Sequence, residues 1–403
     1  MSVLTSTEGQ NNLPRYFRQA FAQMQKMNYG RIDVALPDGR VFRAQGNRPG
    51  PAAVIEIHNP DCFARLLREG DMGFSDAYLE GWWSTPDLQT FMDVICEDNT
   101  AVSEGFPGIA VARFFERLRH WLRGNSRRQA RKNIAYHYDL GNDFYSLWLD
   151  ESMTYSSALF RSGQESLEKA QEQKYEALVD SLGLNPGDHV LEIGCGWGGF
   201  AEYAALKRGL KVTGLTISQA QHDFAVERMQ RLGLSDLVTI KLQDYRDEAG
   251  QYDAIASIEM FEAVGEEYWP VYFDAVQARL KPGARATLQV ILVPDHRFEV
   301  YRNNVDFIQK HIFPGGMLIS PTRLRAEAAR AGLSTESSLE FAESYSQTLR
   351  RWHEVFNEQW ETIRQIGYDE RFKRMWDFYL TSCAAAFRTG MCDVTQITLR
   401  RAN

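Results

Sequence analysis

Long apolar runs are missing from this 403-residue sequence. No window approaches 18 uninterrupted apolar residues, which excludes a membrane-crossing helix and confines any membrane contact to the surface. Cysteine is scarce. Cys62, Cys96, Cys195, Cys383 and Cys392 are odd in number and form no CxxC pair, which argues against a disulfide framework or zinc site and leaves no metal expected. Positive charge is outweighed, with 45 Lys and Arg against 53 Asp and Glu. Nucleic acid is therefore not the expected partner. The opening "MSVLTSTEGQNNLPRYF" has neither a basic n-region nor an apolar h-region, so no signal peptide is expected and a cytoplasmic location fits. No internal repeat or low-complexity tract stands out, and the chain is too long for one core. Two domains are expected.

The first is small and of α+β type. "YGRIDVALPDGRVFRAQ" and "AAVIEIH", between Tyr29 and Ile57, alternate apolar and polar residues around a "PDG" turn and read as a hairpin or small sheet. Helical text follows to Glu97. We place this domain at residues 1–112, with possible roles in lipid or membrane docking. A basic linker helix, "RFFERLRHWLRGNSRRQARK", occupies 113–132. Its apolar set recurs at helical spacing, which suits either a solvated helix packed on its domain or an interfacial helix for anionic phospholipid.

From residue 133 to 403 strands and helices alternate. Strand candidates are "HVLEIG" (189–194), "KVTGLTI" (211–217), "VTIKLQD" (238–244), "YDAIASI" (252–258) and "RATLQVIL" (285–292). Such a series predicts an α/β, mostly parallel, doubly wound sheet with its ligand at the carboxyl ends of the strands. The last candidate, "VTQITLRR", has helical text before it and is expected to pair antiparallel at the sheet edge. The aromatic-rich stretch at about 293–325 is too long for a simple connection and is expected to be a lid. Phe307, Ile308, Ile312, Phe313 and Met317 then line either an acyl channel or a hydrophobic seam.

"VLEIGCGWGGF", Val190 to Phe200, places a bare backbone after the first of these strands. Its glycines satisfy GxGxxG superficially, but a dinucleotide site also needs an acidic residue closing the next strand. That strand closes with Thr216 and Ser218 instead. Hydroxyls and an amide can bind a ribose diol without the acid.

"LEIGCGWGGFA" resembles the first motif of class I, Rossmann-like S-adenosylmethionine-dependent methyltransferases. With "YHYDLGNDFYSLWLDESMTYSSALF", "GLTISQAQ", "SIEMFEAVG" and "DFIQKHIFPGG", the chain resembles the cyclopropane fatty acid synthase family, including the mycolic acid cyclopropane synthases and related methyltransferases. "GDMGFSDAYLEGWW" is similar to the extra N-terminal domain of the bacterial cyclopropane synthases. The resemblance implies S-adenosylmethionine, held by Tyr138, Tyr155 and Ser156, by the turn at Gly194 and Gly196, by Thr216, Ser218 and Gln221, and by an adenine wall of Asp244 and Tyr245. His137 is given a packing or hydrogen-bonding role.

Methylating an isolated alkene leaves a carbocation, so the site must stabilise positive charge and then remove a proton. In the family a bicarbonate ion is thought to take that proton. Its ligand positions fall on Glu262, Ile291 and Tyr345, which match, and on Ser157 and Gln289, where the family has cysteine and histidine. Serine can donate a hydrogen bond and glutamine offers an amide, but the proton-relay capacity of histidine is gone. The expectation is that Glu262 and Tyr345 hold the base, with Ser157 and Gln289 as weaker ligands, and that Glu262→Gln abolishes turnover. Of the two glutamates in "IEMFE" the resemblance favours Glu262, and a cofactor-side contact is left open for Glu259.

The implied reaction adds one carbon to the double bond of an unsaturated fatty acyl chain of a membrane phospholipid, at the inner face of the membrane, giving a cyclopropane. Departures at Ser157 and Gln289 keep a methyl-branched or diene-derived product open, including furan fatty acid precursors. Rival readings are a small-molecule N- or O-methyltransferase and a non-catalytic lipid-binding protein. A homodimer is left open.

Overall fold

The structure is a computed structural model that describes residues 3–97 and 140–403. The chain divides into two compact units. One takes the N-terminal segment together with 304–311 and 360–391; the other takes the rest. The basic stretch at 113–132, with Tyr138 and His137, lies outside the described residues.

The first unit is built on a five-stranded sheet in the order β1-β3-β2-β4-β5 (β1, Val3–Leu4; β2, Tyr29–Ala35; β3, Val41–Gln45; β4, Arg48–Ile57; β5, Trp83–Ser84). The alternation that predicted the hairpin puts Ile32, Val34, Phe42 and Ala44 inside. Phe17 of the helix Phe17–Met24 packs edge-on against Phe42 and Phe63, at 4.8 and 5.0 Å between ring centroids. This unit is not purely N-terminal. The helix Leu88–Glu97 packs on the distant helix Glu370–Arg388, where Gln89 donates to the Thr381 carbonyl (3.2 Å) and Arg388 to Asp93 (2.9 Å). Sequence pattern reveals that both helices are amphipathic, but not that they are each other's partner.

The second unit carries a seven-stranded sheet in the order β11-β12-β10-β9-β6-β7-β8. Its strands are β6 (His189–Ile193), β7 (Lys211–Thr216), β8 (Val238–Leu242), β9 (Tyr252–Ile258), β10 (Leu280–Leu292), β11 (Leu333–Glu340) and β12 (Asp393–Arg401). The run from β8 to β10 is parallel, while β12 is antiparallel to both β10 and β11. The C-terminal strand is thus antiparallel as expected but not at the edge. β11, "LSTESSLE", lies outside it, and its solvated serines and glutamates suit an edge strand while hiding it from a search for hydrophobic alternation. Leu178, Phe200 and Ala204 cover one face of the central strands; Trp269, Tyr272, Phe273 and Leu324 cover the other. Strand order reverses at β6, between β7 and β9. The crevice at the carboxyl ends of β6 and β9 is therefore where a ligand belongs.

The aromatic stretch after β10 is divided between the units. Phe307, on the short helix Phe307–His311 with Ile308, packs tilted against Phe378 in the first unit, 4.5 Å between ring centroids. Ile312 is buried in the second unit, and Met317 joins its core beside Trp269 and Ile319. Phe307 and Met317 thus sit in hydrophobic seams, whereas Phe313 faces Tyr155 at 6.4 Å.

Candidate active site

After β6 the chain turns at Gly194 (φ 85°) and Gly196 (φ 51°), conformations that side chains with a Cβ rarely adopt. The two glycines serve different needs. A Cβ on Gly194 would lie 2.6 Å from Met260 Cγ, whereas one on Gly196 would meet no atom within 4 Å. Gly194 is packed against the neighbouring turn, and Gly196 borders open space that a cofactor can fill. The amides of Gly194 and Cys195 donate to the Leu215 carbonyl (3.0 and 2.8 Å), tying the turn to the end of β7.

At that strand end Thr216 Oγ1 donates to Gln221 Oε1 (2.9 Å) and accepts from the Ser218 amide (3.1 Å). Ser218 Oγ caps the helix Gln219–Arg231. The three residues expected at the ribose thus form one cluster beside the glycine turn. Beyond β8, Asp244 receives a bidentate pair from Arg246 (2.8 and 2.6 Å), and the Tyr245 ring packs edge-on against Tyr272 at 5.5 Å. From upstream, Asn142 accepts from the Trp197 indole (2.8 Å) and its amide reaches the Ala220 carbonyl (3.4 Å). Those contacts fasten "GNDFY" to the glycine turn. The sequence reading passed over both Asn142 and Trp197, although a tryptophan inside a glycine run was a visible signal. Tyr155 stands among Tyr145, Trp148 and Trp352, with ring centroids 5.3 to 5.5 Å away. Ser156 turns inward instead, its hydroxyl accepting from the buried Lys174 ammonium (2.7 Å).

The part of the site expected to hold a proton acceptor departs further from expectation. Glu259, at the end of β9, accepts three hydrogen bonds: from Tyr345 Oη (2.6 Å), Gln289 Nε2 (2.7 Å) and the Ser157 amide (2.8 Å). The donors expected around a separate anion therefore converge on a carboxylate of the chain itself. Ser157 contributes its backbone, because its hydroxyl is turned to the Ala158 carbonyl (2.9 Å). Glu262, on the short turn Phe261–Ala263, accepts from the Ile291 amide (2.6 Å), and its other oxygen is buried with no partner among the described residues. Tyr345 thus serves Glu259, not Glu262.

Glu259 also has φ 48°. A non-glycine residue in that left-handed region costs roughly 1–3 kcal/mol, so something must hold it there. The three donors supply the hold. Sequence could not reveal this, since a glutamate one turn before Glu262 carries no mark of its backbone conformation.

Burial raises the Glu259 carboxyl above its ordinary range, opposed by the Tyr345 and Gln289 hydrogen bonds and the Lys174 charge. Burial, then the charge on Glu259, raises Glu262 to about 8. Burial lowers Lys174 to about 7 despite the negative charges of Glu259, Asp150 and Glu192 around it. At neutral pH the arrangement favours Glu259 as the ionised member of the pair and Glu262 as the protonated one.

Residues 125–397 match the family model described as mycolic acid cyclopropane synthetase. The chain is 39% identical over 390 residues to the tuberculostearic acid methyltransferase of Mycobacterium tuberculosis, spanning 92% of this chain and 88% of that one. It is 36% identical over 389 residues to the cyclopropane-fatty-acyl-phospholipid synthase of Escherichia coli, spanning 92% and 96%. Among solved structures, a cyclopropane synthase from Mycobacterium tuberculosis superposes with a TM-score of 0.64 at 30% identity, over 67% of this chain and 98% of that one. A mycolic acid cyclopropane synthase complexed with S-adenosylhomocysteine gives 0.63 at 29%, over the same shares. The open glycine turn, the hydroxyl and amide cluster at β7 and these matches lead to one conclusion: the chain belongs to the mycolic acid cyclopropane synthetase family of S-adenosylmethionine-dependent methyltransferases.

Proposed function

We propose that this protein methylates the double bond of an unsaturated fatty acyl chain carried by a phospholipid, that Glu259 is the base, and that the product is branched and still unsaturated. The observation that carries this reading is the Glu259 carboxylate seated among Tyr345, Gln289 and the Ser157 amide. S-adenosylmethionine supplies an electrophilic methyl, which the alkene takes up with release of S-adenosylhomocysteine, leaving positive charge on the acyl chain. The turn at Gly194 and Gly196, the Thr216, Ser218 and Gln221 cluster, Asp244, Tyr245 and Tyr155 are the residues that would hold the cofactor.

The aromatic faces of Tyr155 and Trp352 and the ionised Glu259 suit the stabilisation of that charge. Glu259 then accepts a proton. A base tethered to the protein cannot move with the transferred methyl as a small free anion can, so the seat of the acyl chain selects the proton that leaves. Loss from a chain carbon, or loss after a hydride shift, retains an alkene and gives a branch. Relatives named tuberculostearic acid methyltransferase and probable fatty acid methyltransferase support this outcome.

A second reading, cyclopropane formation, is favoured by the extent of the match to the Escherichia coli synthase and by the retained Glu262, Ile291 and Tyr345. Fatty acids from a bacterium that makes cis-monounsaturated lipids but no cyclopropane, with and without this protein, separate the two. A gain of one CH2 with the alkene still open to derivatisation supports the branched product. The same gain with the alkene lost supports cyclopropane, and no gain from any mono- or diunsaturated chain would overturn both.

A further inference from the structure

Gln289 can serve Glu259 in only one of its two amide orientations, and the residue that selects it stands on β12. Gln396 pairs with Gln289 across the β10–β12 ladder. Its Nε2 donates to the Lys174 carbonyl (3.0 Å) and to Gln289 Oε1 (3.1 Å). Gln289 in turn sends its own Nε2 to the Ser157 carbonyl (3.3 Å) and to Glu259 Oε1. Both glutamines are buried.

Two backbone carbonyls remove the ambiguity that side-chain amides usually carry. The Lys174 carbonyl can only accept, so Gln396 must turn its NH2 toward it. That same NH2 then meets Gln289 Oε1, and the Gln289 NH2 faces Ser157 and Glu259. Reversing Gln289 would set its oxygen against the Ser157 carbonyl, which cannot donate, and against the Glu259 carboxylate; protonation of Glu259 would relieve only the second of these contacts.

We infer that Gln396 is a positioning residue for the reaction: by fixing the Gln289 amide it keeps a donor on Glu259 and so keeps Glu259 ionised as the base. The inference rests on the reading of Glu259 as that base. The charged and titratable groups facing Glu259 are Tyr345 from its helix, the adjacent Glu262 and Lys174 beneath; Asp150 and Glu192 surround Lys174 in turn. Gln396 touches Lys174 through its carbonyl, not its ammonium.

The test is the pH dependence of single-turnover S-adenosylhomocysteine formation with vesicles of cis-monounsaturated phosphatidylglycerol, for the full chain and for Gln396→Leu and Gln396→Glu. Loss of the donor in Gln396→Leu should move the acid limb of the profile upward by about one unit, a tenfold loss of rate on that limb, with the KM for S-adenosylmethionine unchanged. Gln396→Glu keeps the shape, but its buried carboxyl has one proton to share between the Lys174 carbonyl and Gln289, so it should move the limb in the same direction by a smaller amount. A purely structural role would lower the rate equally at every pH and leave the limb in place, and that result in either soluble variant overturns the inference. Glu259→Gln run alongside separates the two layers. If it keeps its rate, the base assignment fails; if it is inactive while the Gln396 limb stays fixed, Gln396 alone is misassigned.

Discussion

The glycine turn and the cradle around Glu259, the proposed base, lie at the ends of neighbouring strands, yet they are built by different rules. The turn is nearly contiguous: Gly194, Gly196, Thr216, Ser218 and Gln221 fall within 28 residues, and each has its place through backbone geometry and a helix cap. The cradle gathers Ser157, Glu259, Gln289 and Tyr345 from four separate stretches of chain, and its central residue is held in a left-handed conformation by the other three. A local site survives in the sequence as spacing. A dispersed one can exchange an outside anion for a side chain without disturbing any motif.

The largest effect should separate the two regions outright. Glu259→Gln should lower turnover on the order of 10²–10⁴-fold while leaving S-adenosylmethionine binding intact by calorimetry. Glu259→Gly should be equally slow, but glycine accepts φ 48° without strain and opens the cradle, so added formate should restore part of the rate. Loss of cofactor binding in either variant would show that the two regions act as one.

Gly194→Ala attacks the turn instead. Strain at φ 85° adds to the approach to Met260 Cγ, and displacement of the cofactor should cost up to about 100-fold in kcat/KM with the acid limb of the pH profile unmoved. Gly196→Ala, at a position with open space, should cost less. A shift of the pH profile in Gly194→Ala would show that turn and cradle are coupled.

A smaller effect is expected at Glu262, where the proposed role of Glu259 leads to a prediction different from the sequence-based one. Its carboxyl, raised to about 8, is mainly protonated at neutral pH, and glutamine keeps the oxygen that accepts from the Ile291 amide. Glu262→Gln should therefore stay within about tenfold of the native rate, since one neutral hydrogen-bonding group replaces another. The pH profile follows from the raised Glu259 carboxyl. As the proposed base, Glu259 is lost on protonation, so activity should fall as pH drops through a value above the ordinary carboxylate range.

Much of this was readable in advance, for physical reasons. β6 to β10 declare themselves as apolar runs between turn residues, and the glycine turn as bare backbone between strand and helix. β11 escaped because an edge strand with both faces wet has no alternation to find. The joining of 304–311 and 360–391 to the N-terminal segment escaped because amphipathic helices announce a buried face but not its partner. At the cradle, Ser157, Gln289 and Tyr345 are legible in the sequence, but Glu259 is underrated there. Its significance lies in a backbone angle and three long-range donors, none of which spacing records.

The most direct measurement is the rate of the native enzyme in buffer stripped of carbon dioxide, compared with the same buffer after bicarbonate is restored. With Glu259 in the cradle the two rates should be equal. A rate that collapses on stripping and returns with bicarbonate would show that a separate anion, not Glu259, removes the proton.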